Sequence, residues 1–195
     1  SVKAIVDAYD GSVRLFRWDD QDPILRTWEK IYPGSVEPVS AISGDLMSHL
    51  RYPEDMFKVQ RNLLATYHVT DAAGFYSGGD RWRLAEETST HGAASSSDSS
   101  TRVDASGNPV PAPTALQPPY YLTMQMPGQD SAEFSLTSVF VPGGGGEGRR
   151  EAMAGFLAVD SETGNTPGQV REGYGKLRLL ALPSSTTVPG PGQVQ

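Results

Sequence analysis

HLRYPEDMFKVQRNLLATYHV, residues 49–69, is the stretch on which the reading of the fold turns. Pro53 lacks an N–H that the first helical turn cannot use, and its ring presets φ, so it starts a helix running to about His68. Glu54 and Asp55 complement the positive end of the helix dipole, and Glu54 precedes Lys58 by four residues, the better orientation for an ion pair. Met56, Val59, Leu63 and Tyr67 recur at helical spacing and are expected to form the buried stripe, with Phe57 and Leu64 widening it. On that reading Leu63→Ala costs about 2–5 kcal/mol.

Upstream, Val2–Tyr9 and Ser12–Trp18 flank Asp10–Gly11, the strongest short hairpin signal, because both central positions of such a turn need φ > 0. Pairing across two turn residues sets Asp7 opposite Arg14, Ile5 opposite Phe16 and Lys3 opposite Trp18. The face carrying Val2, Ala4, Val6 and Ala8 against Val13 and Leu15 is expected to be the core face. Asp22 caps and Pro23 opens a second helix, with Ile24, Leu25, Trp28, Ile31 and Tyr32 on one stripe and Pro33–Gly34 at its end. Ser43 and Asp45 start a short helix bearing Leu46, Met47 and Leu50.

Downstream, Asp71–Tyr76 reads as one more helical turn, and Gly78–Gly79 breaks the chain before a short strand at Arg81–Leu84. Residues 87–114 are dominated by Ser, Thr, Ala, Gly and Pro, too few large apolar groups to offset ordering entropy, so they read as a mobile surface insert. Four strands follow at Tyr120–Met126, Glu133–Val141, Gly155–Asp160 and Lys176–Leu182. Strands, then helices, then strands again predict an α+β fold. It would be a single domain over 1–195, or a fragment of one, with an antiparallel or mixed sheet of the N-terminal hairpin and about four later strands, and three helices on one face.

Composition narrows function. The 195 residues carry a net charge of −7 with an isoelectric point near 4.9, and no basic cluster exceeds Arg149–Arg150, so nucleic acid and anionic lipid are poor partners. Without cysteine there is no thiol catalysis, disulfide, zinc ribbon or iron–sulfur cluster. The longest apolar run, Ala152–Val159, falls far short of the roughly 18 residues of a membrane span, so this segment inserts in no bilayer as a helix. The start lacks the character of a signal peptide, and both ends read as cut from a longer chain.

The residues offer few catalytic constellations. Gly143, Gly145 and Gly148 fit a dinucleotide-binding spacing, but the parallel unit and the distant acidic residue are missing, so a hairpin linker is the better reading. His49, His68 and His91 lack metal-pair spacing and read as structural or solvated. Asp19, Asp20 and Asp22 read as a loop and a cap. Asp160–Asn165 is an oxygen-rich turn, with cation binding the alternative. No serine sits in a nucleophile elbow; a carboxylate pair set by the fold stays open. No metal or cofactor is expected. Tyr120 and Tyr121, on opposite faces at a strand entry with one facing the core, are the weak candidates for binding; Tyr52, Phe75, Tyr76 and Trp82 complete that aromatic inventory.

Six strings occur in order: SVKAIVDAYDGSV, HLRYPEDMFKVQRNLLATYHV, PPYYLTMQMPGQD, FLAVDSETG, YGKLRLLALP and VPGPGQVQ. Together they resemble uncharacterised protein family 0182, large bacterial membrane proteins found notably in actinobacteria. The resemblance runs from Ser1 to Gln195 and is weakest at 87–114 and 143–150. It implies several transmembrane helices N-terminal to this piece and a large extracytoplasmic region to which the piece belongs. It implies no activity, cofactor or catalytic residue. The expected function is a non-enzymatic extracytoplasmic domain with a role in binding or assembly in the cell envelope. Its partners would be the rest of its own membrane protein, an envelope protein or glycan, or another copy. A hydrolase or transferase using a carboxylate pair or His68 is the first alternative, and an accessory domain of a transporter the second.

Overall fold

The computed structural model describes residues 1–87, 116–143, 152–183 and 188–191. The fold is α+β, with two sheets and four helices among these residues. The chain divides into two compact units, Ser1–Tyr52 with Ser161–Gly175, and Pro53–Asp160 with Lys176–Gln195.

In the first unit, β1 (Val2–Val6) pairs antiparallel with β2 (Val13–Arg17), and β3 (Glu37–Pro38) adds parallel to β2. The hairpin differs from expectation in register and in face. Lys3 lies opposite Phe16 and Ile5 opposite Arg14, two positions from the expected pairing. The cause is the loop. Asp7 N donates to Ser12 O at 2.9 Å, enclosing four residues, and only Gly11 takes a left-handed φ, of 75°; Asp10 does not. The faces are also reversed. Phe16 is fully buried with Ile5 and Trp18 packed on its side, while Val2, Val6 and Val13 are exposed. The buried face carries Lys3 and Arg14 as well, but its apolar side chains, Ile5, Phe16 and Trp18, are the larger, and burial energy scales with area.

Helix α1 (Pro23–Ile31) starts as expected, Asp22 Oδ1 accepting from the N–H groups of Ile24 (2.9 Å) and Leu25 (3.2 Å). Of its expected stripe only Leu25 is buried; Ile24, Trp28, Ile31 and Tyr32 are exposed, with the Trp28 and Tyr32 rings stacked at 5.5 Å. Helix α2 (Gly44–His49) is capped by Ser43 Oγ and sends Met47 into a core with Phe16 and Ile42. The buried Thr163 hydroxyl donates to Met47 O, and Ser161 Oγ accepts from Tyr52 N at 3.2 Å, so 161–175 closes this unit's core.

In the second unit, α3 (Glu54–Tyr67) and α4 (Ala72–Ser77) precede a five-stranded antiparallel sheet. Its strands are β4 (Trp82–Leu84), β5 (Tyr120–Met124), β6 (Glu133–Pro142), β7 (Gly155–Asp160) and β8 (Leu177–Ala181). Long β6 pairs with β4 and β5 on one side and β7 on the other, and β8 forms the edge beyond β7. The expected elements are present, and Lys58 Nζ meets Glu54 Oε1 at 2.7 Å. The expected buried stripe of α3 is not buried. Met56, Val59, Leu63 and Tyr67 are 50–65% exposed, and the helix turns Phe57, Arg61 and Ala65 inward instead. The insert read at 87–114 and the Gly145–Arg150 part of the glycine tract lie outside the described residues but for Glu87.

Candidate functional site

Two apolar stripes on one helix follow from its angular arithmetic. At about 100° per residue, 57, 61 and 65 fall on one side of α3 and 56, 59, 63 and 67 on nearly the opposite side. The inward stripe packs over β4 and β6. Arg61 is buried there, donating from Nη1 to Gln117 O (3.0 Å) and Ser138 Oγ (3.2 Å), while its Nε has no partner. Burial holds this guanidinium below its ordinary pKa, partly opposed by the Glu54 carboxylate. The Ser138 bond identifies the sheet face beneath the helix. Because paired residues share a face and strands alternate, Leu136, Ser138 and Phe140 of β6 look towards α3, with Leu157 and Val159 of β7 and Leu177 and Leu179 of β8.

On β6 and β7 that face is covered, with Leu136, Phe140, Leu157 and Val159 buried. At the β8 edge it opens into a groove of about 420 Å³. Leu157, Leu177 and Leu179 form the floor, and Gln60, Leu63, Leu64 and Tyr67 of α3 form the wall. Leu177 and Leu179 are 41% and 40% exposed. Tyr67 is steadied by stacking on Phe75 of α4 at 5.8 Å. The signal in the sequence was the double stripe itself: a 14-residue helix with apolar residues on both sides has two faces to cover.

A second cavity of the same unit, about 390 Å³, is lined by His68, Asp80, Arg81, Trp82, Met153 and their neighbours. His68 Nδ1 lies 3.1 Å from Leu64 O, a carbonyl that can only accept. The imidazole stacks on Trp82 at 3.7 Å, and Trp82 on Phe140 at 5.3 Å. Gly155 sits below the indole, where a Cβ would come within 3.0 Å of the ring.

The remaining candidates are dispersed. Tyr120 and Tyr121 are both partly exposed, so neither enters the core as expected for one of them. The Tyr120 hydroxyl donates to Glu87 Oε2 at 2.7 Å, and this bond, with burial, raises its pKa; the Tyr121 ring stacks on Phe134 at 5.1 Å. His49 is exposed at the end of α2, and His91 lies outside the described residues. In the Asp160–Asn165 stretch the oxygens serve the fold: Asp160 Oδ2 meets Arg178 Nη1 at 3.5 Å, while Ser161 and Thr163 hold Tyr52 and Met47. Among the described residues no three His, Asp or Glu side chains stand where they could hold a metal ion. No described helix is long and apolar enough to cross a membrane.

The model of uncharacterised protein family UPF0182 matches residues 1–195. The chain belongs to UPF0182. A UPF0182 protein of Leifsonia xyli subsp. xyli is 53% identical over the whole chain, which covers 18% of that protein. UPF0182 proteins of Tropheryma whipplei and Bifidobacterium longum are each 48% identical over the whole chain, covering 20% and 17% of their lengths. The chain thus spans about a fifth of the length of the curated UPF0182 relatives it matches. No solved structure matches it.

Proposed function

We propose that this UPF0182 segment is a non-enzymatic assembly module in the extracytoplasmic part of a multi-pass bacterial membrane protein, acting in the cell envelope. The observation that carries the assembly role is the groove between α3 and β8, whose apolar wall and floor are both exposed. An enzyme's cleft needs convergent polar groups, whereas a groove lined by five leucines, a tyrosine and a glutamine favours a docked chain over a reacting substrate. The extracytoplasmic placement is supported by the sequence resemblance.

The placement is tested in intact cells. The chain has no cysteine, so Tyr9→Cys, at a fully exposed position, reports its own side of the membrane once any cysteines elsewhere in the whole protein are replaced. A membrane-impermeant maleimide labels it without permeabilisation if the module lies outside. Labelling only after permeabilisation overturns the placement. Retention of an envelope protein or glycan by the purified segment would extend the role beyond its own polypeptide.

A second reading, an envelope hydrolase, draws on the His68 cavity, where the imidazole is held at Nδ1 by Leu64 O and stacked on Trp82. One carboxylate, Asp80, lines the same cavity, so a paired-carboxylate mechanism has one of its two members there. His68→Gln with an unchanged cellular phenotype would dispose of this reading.

A further inference from the structure

The place of the open floor beside α3 identifies what fits it. On β7 Leu157 and Val159 are already buried, so the floor is open at the edge strand β8, where Leu177 and Leu179 are exposed. Helices packed side by side stand about 8–10 Å apart, about two strand spacings, which sets a second helix next to α3 with its axis near β8. In that seat one apolar stripe would touch Leu177 and Leu179 below while its flank met Leu63 and Tyr67 of α3. Met56 and Val59 continue the same stripe towards the start of α3, so the matching helix is as long as α3, about 21 Å.

A strand added at the β8 edge would pair the outward amides but leave the wall and most of the floor bare. A second copy could present its own α3 stripe, wall against wall, and the Leu177–Leu179 floor would again stay open. A separate helix covers wall and floor together. Ample chain exists to supply one, since about four-fifths of each UPF0182 relative lies outside the matched region.

We propose that an amphipathic α-helix from another part of the same UPF0182 polypeptide docks in the groove, beside α3 and over β8. This rests on the assembly reading above but not on the side of the membrane. Its apolar residues recur at i, i+3 or i+4, and i+7, because a single stripe must meet both leucine floor and helix wall.

Photo-cross-linking in the whole membrane-embedded protein tests it. Benzoylphenylalanine replaces Tyr67 on the wall or Leu179 on the floor, with exposed Tyr76 on α4 as the off-groove control. Expected adducts from both groove positions map to one peptide outside residues 1–195 of the same molecule, with attachment points one helical turn apart, and Tyr76 gives none there. Leu179→Glu should cut the Tyr67 adduct about a hundred-fold, because it sets an unpaired carboxylate in the apolar seat. Adducts at twice the subunit mass, adducts to lipid, attachment within residues 1–195, or no groove adduct at all would each overturn the proposal. The maleimide experiment at Tyr9 is independent, so failure of the docking helix and failure of the extracytoplasmic placement are told apart.

Discussion

The two sides of α3 have comparable apolar content and opposite fates. Phe57, Arg61 and Ala65 are buried against the sheet, with a guanidinium among them, while Met56, Val59, Leu63 and Tyr67, all apolar or aromatic, face outward. A stripe that is purer in composition lost the core to one containing a charge. The difference teaches that periodicity reports which residues could be covered, while coverage depends on what else the polypeptide supplies. On the inward side the cover is β4 and β6 of the same unit.

Each side can be tested by how much stability it carries in the 195-residue segment. Phe57→Ala, at a fully buried site, is expected to cost about 3–5 kcal/mol, seen as a lowered urea midpoint. Arg61→Ala should cost about 2–3 kcal/mol, because it leaves Gln117 O and Ser138 Oγ unpaired and removes the packed stem. Arg61→Met keeps the stem and should lose less than half of that, since it also removes a buried Nε with no partner. Leu63→Ala, on the outward side, should cost about 1 kcal/mol at most in the segment, well below the value its sequence pattern suggested. A Leu63→Ala loss equal to that of Phe57→Ala would break the comparison; a larger loss in the whole membrane protein than in the segment would sharpen it. Lys58→Ala should leave the midpoint unchanged, because the ion pair with Glu54 stands in water.

The same physics separates what was legible in the sequence from what was not. Helix starts were legible, because Asp22, Ser43 and Asp71 act on N–H groups within three residues of themselves. The strands around 120–141, 155–160 and 177–181 were legible from short apolar runs bounded by Gly and Pro. The orientation of those elements was not. In the hairpin, Asp10–Gly11 suggested a two-residue turn, and the four-residue loop with a left-handed Gly11 moved the register by two positions. A shift of two preserves the faces, so the reversal of the core face has a separate cause, the greater volume of Phe16 and Trp18 over the small residues behind them. The groove was legible only in half. Its wall was written as the second stripe of α3, but its floor comes from strands far along the chain, brought alongside by the sheet. The tyrosines at 120 and 121 stood out by type alone, and the structure gives them separate local neighbours in Glu87 and Phe134.

The segment Ser161–Gly175, which belongs to the first unit although it follows β7, has a consequence in time. At about 5–20 residues per second, the ribosome needs roughly 5–20 s to pass from Tyr52 to Ser161. Throughout that interval Phe16, Ile42 and Met47 wait without Thr163, and Tyr52 N waits without Ser161 Oγ. The first part of this chain to be synthesised is therefore not the first to be finished. An order of completion set by a returning loop exposes the nascent hairpin and its neighbours to capture by other chains for longer than a contiguous unit would.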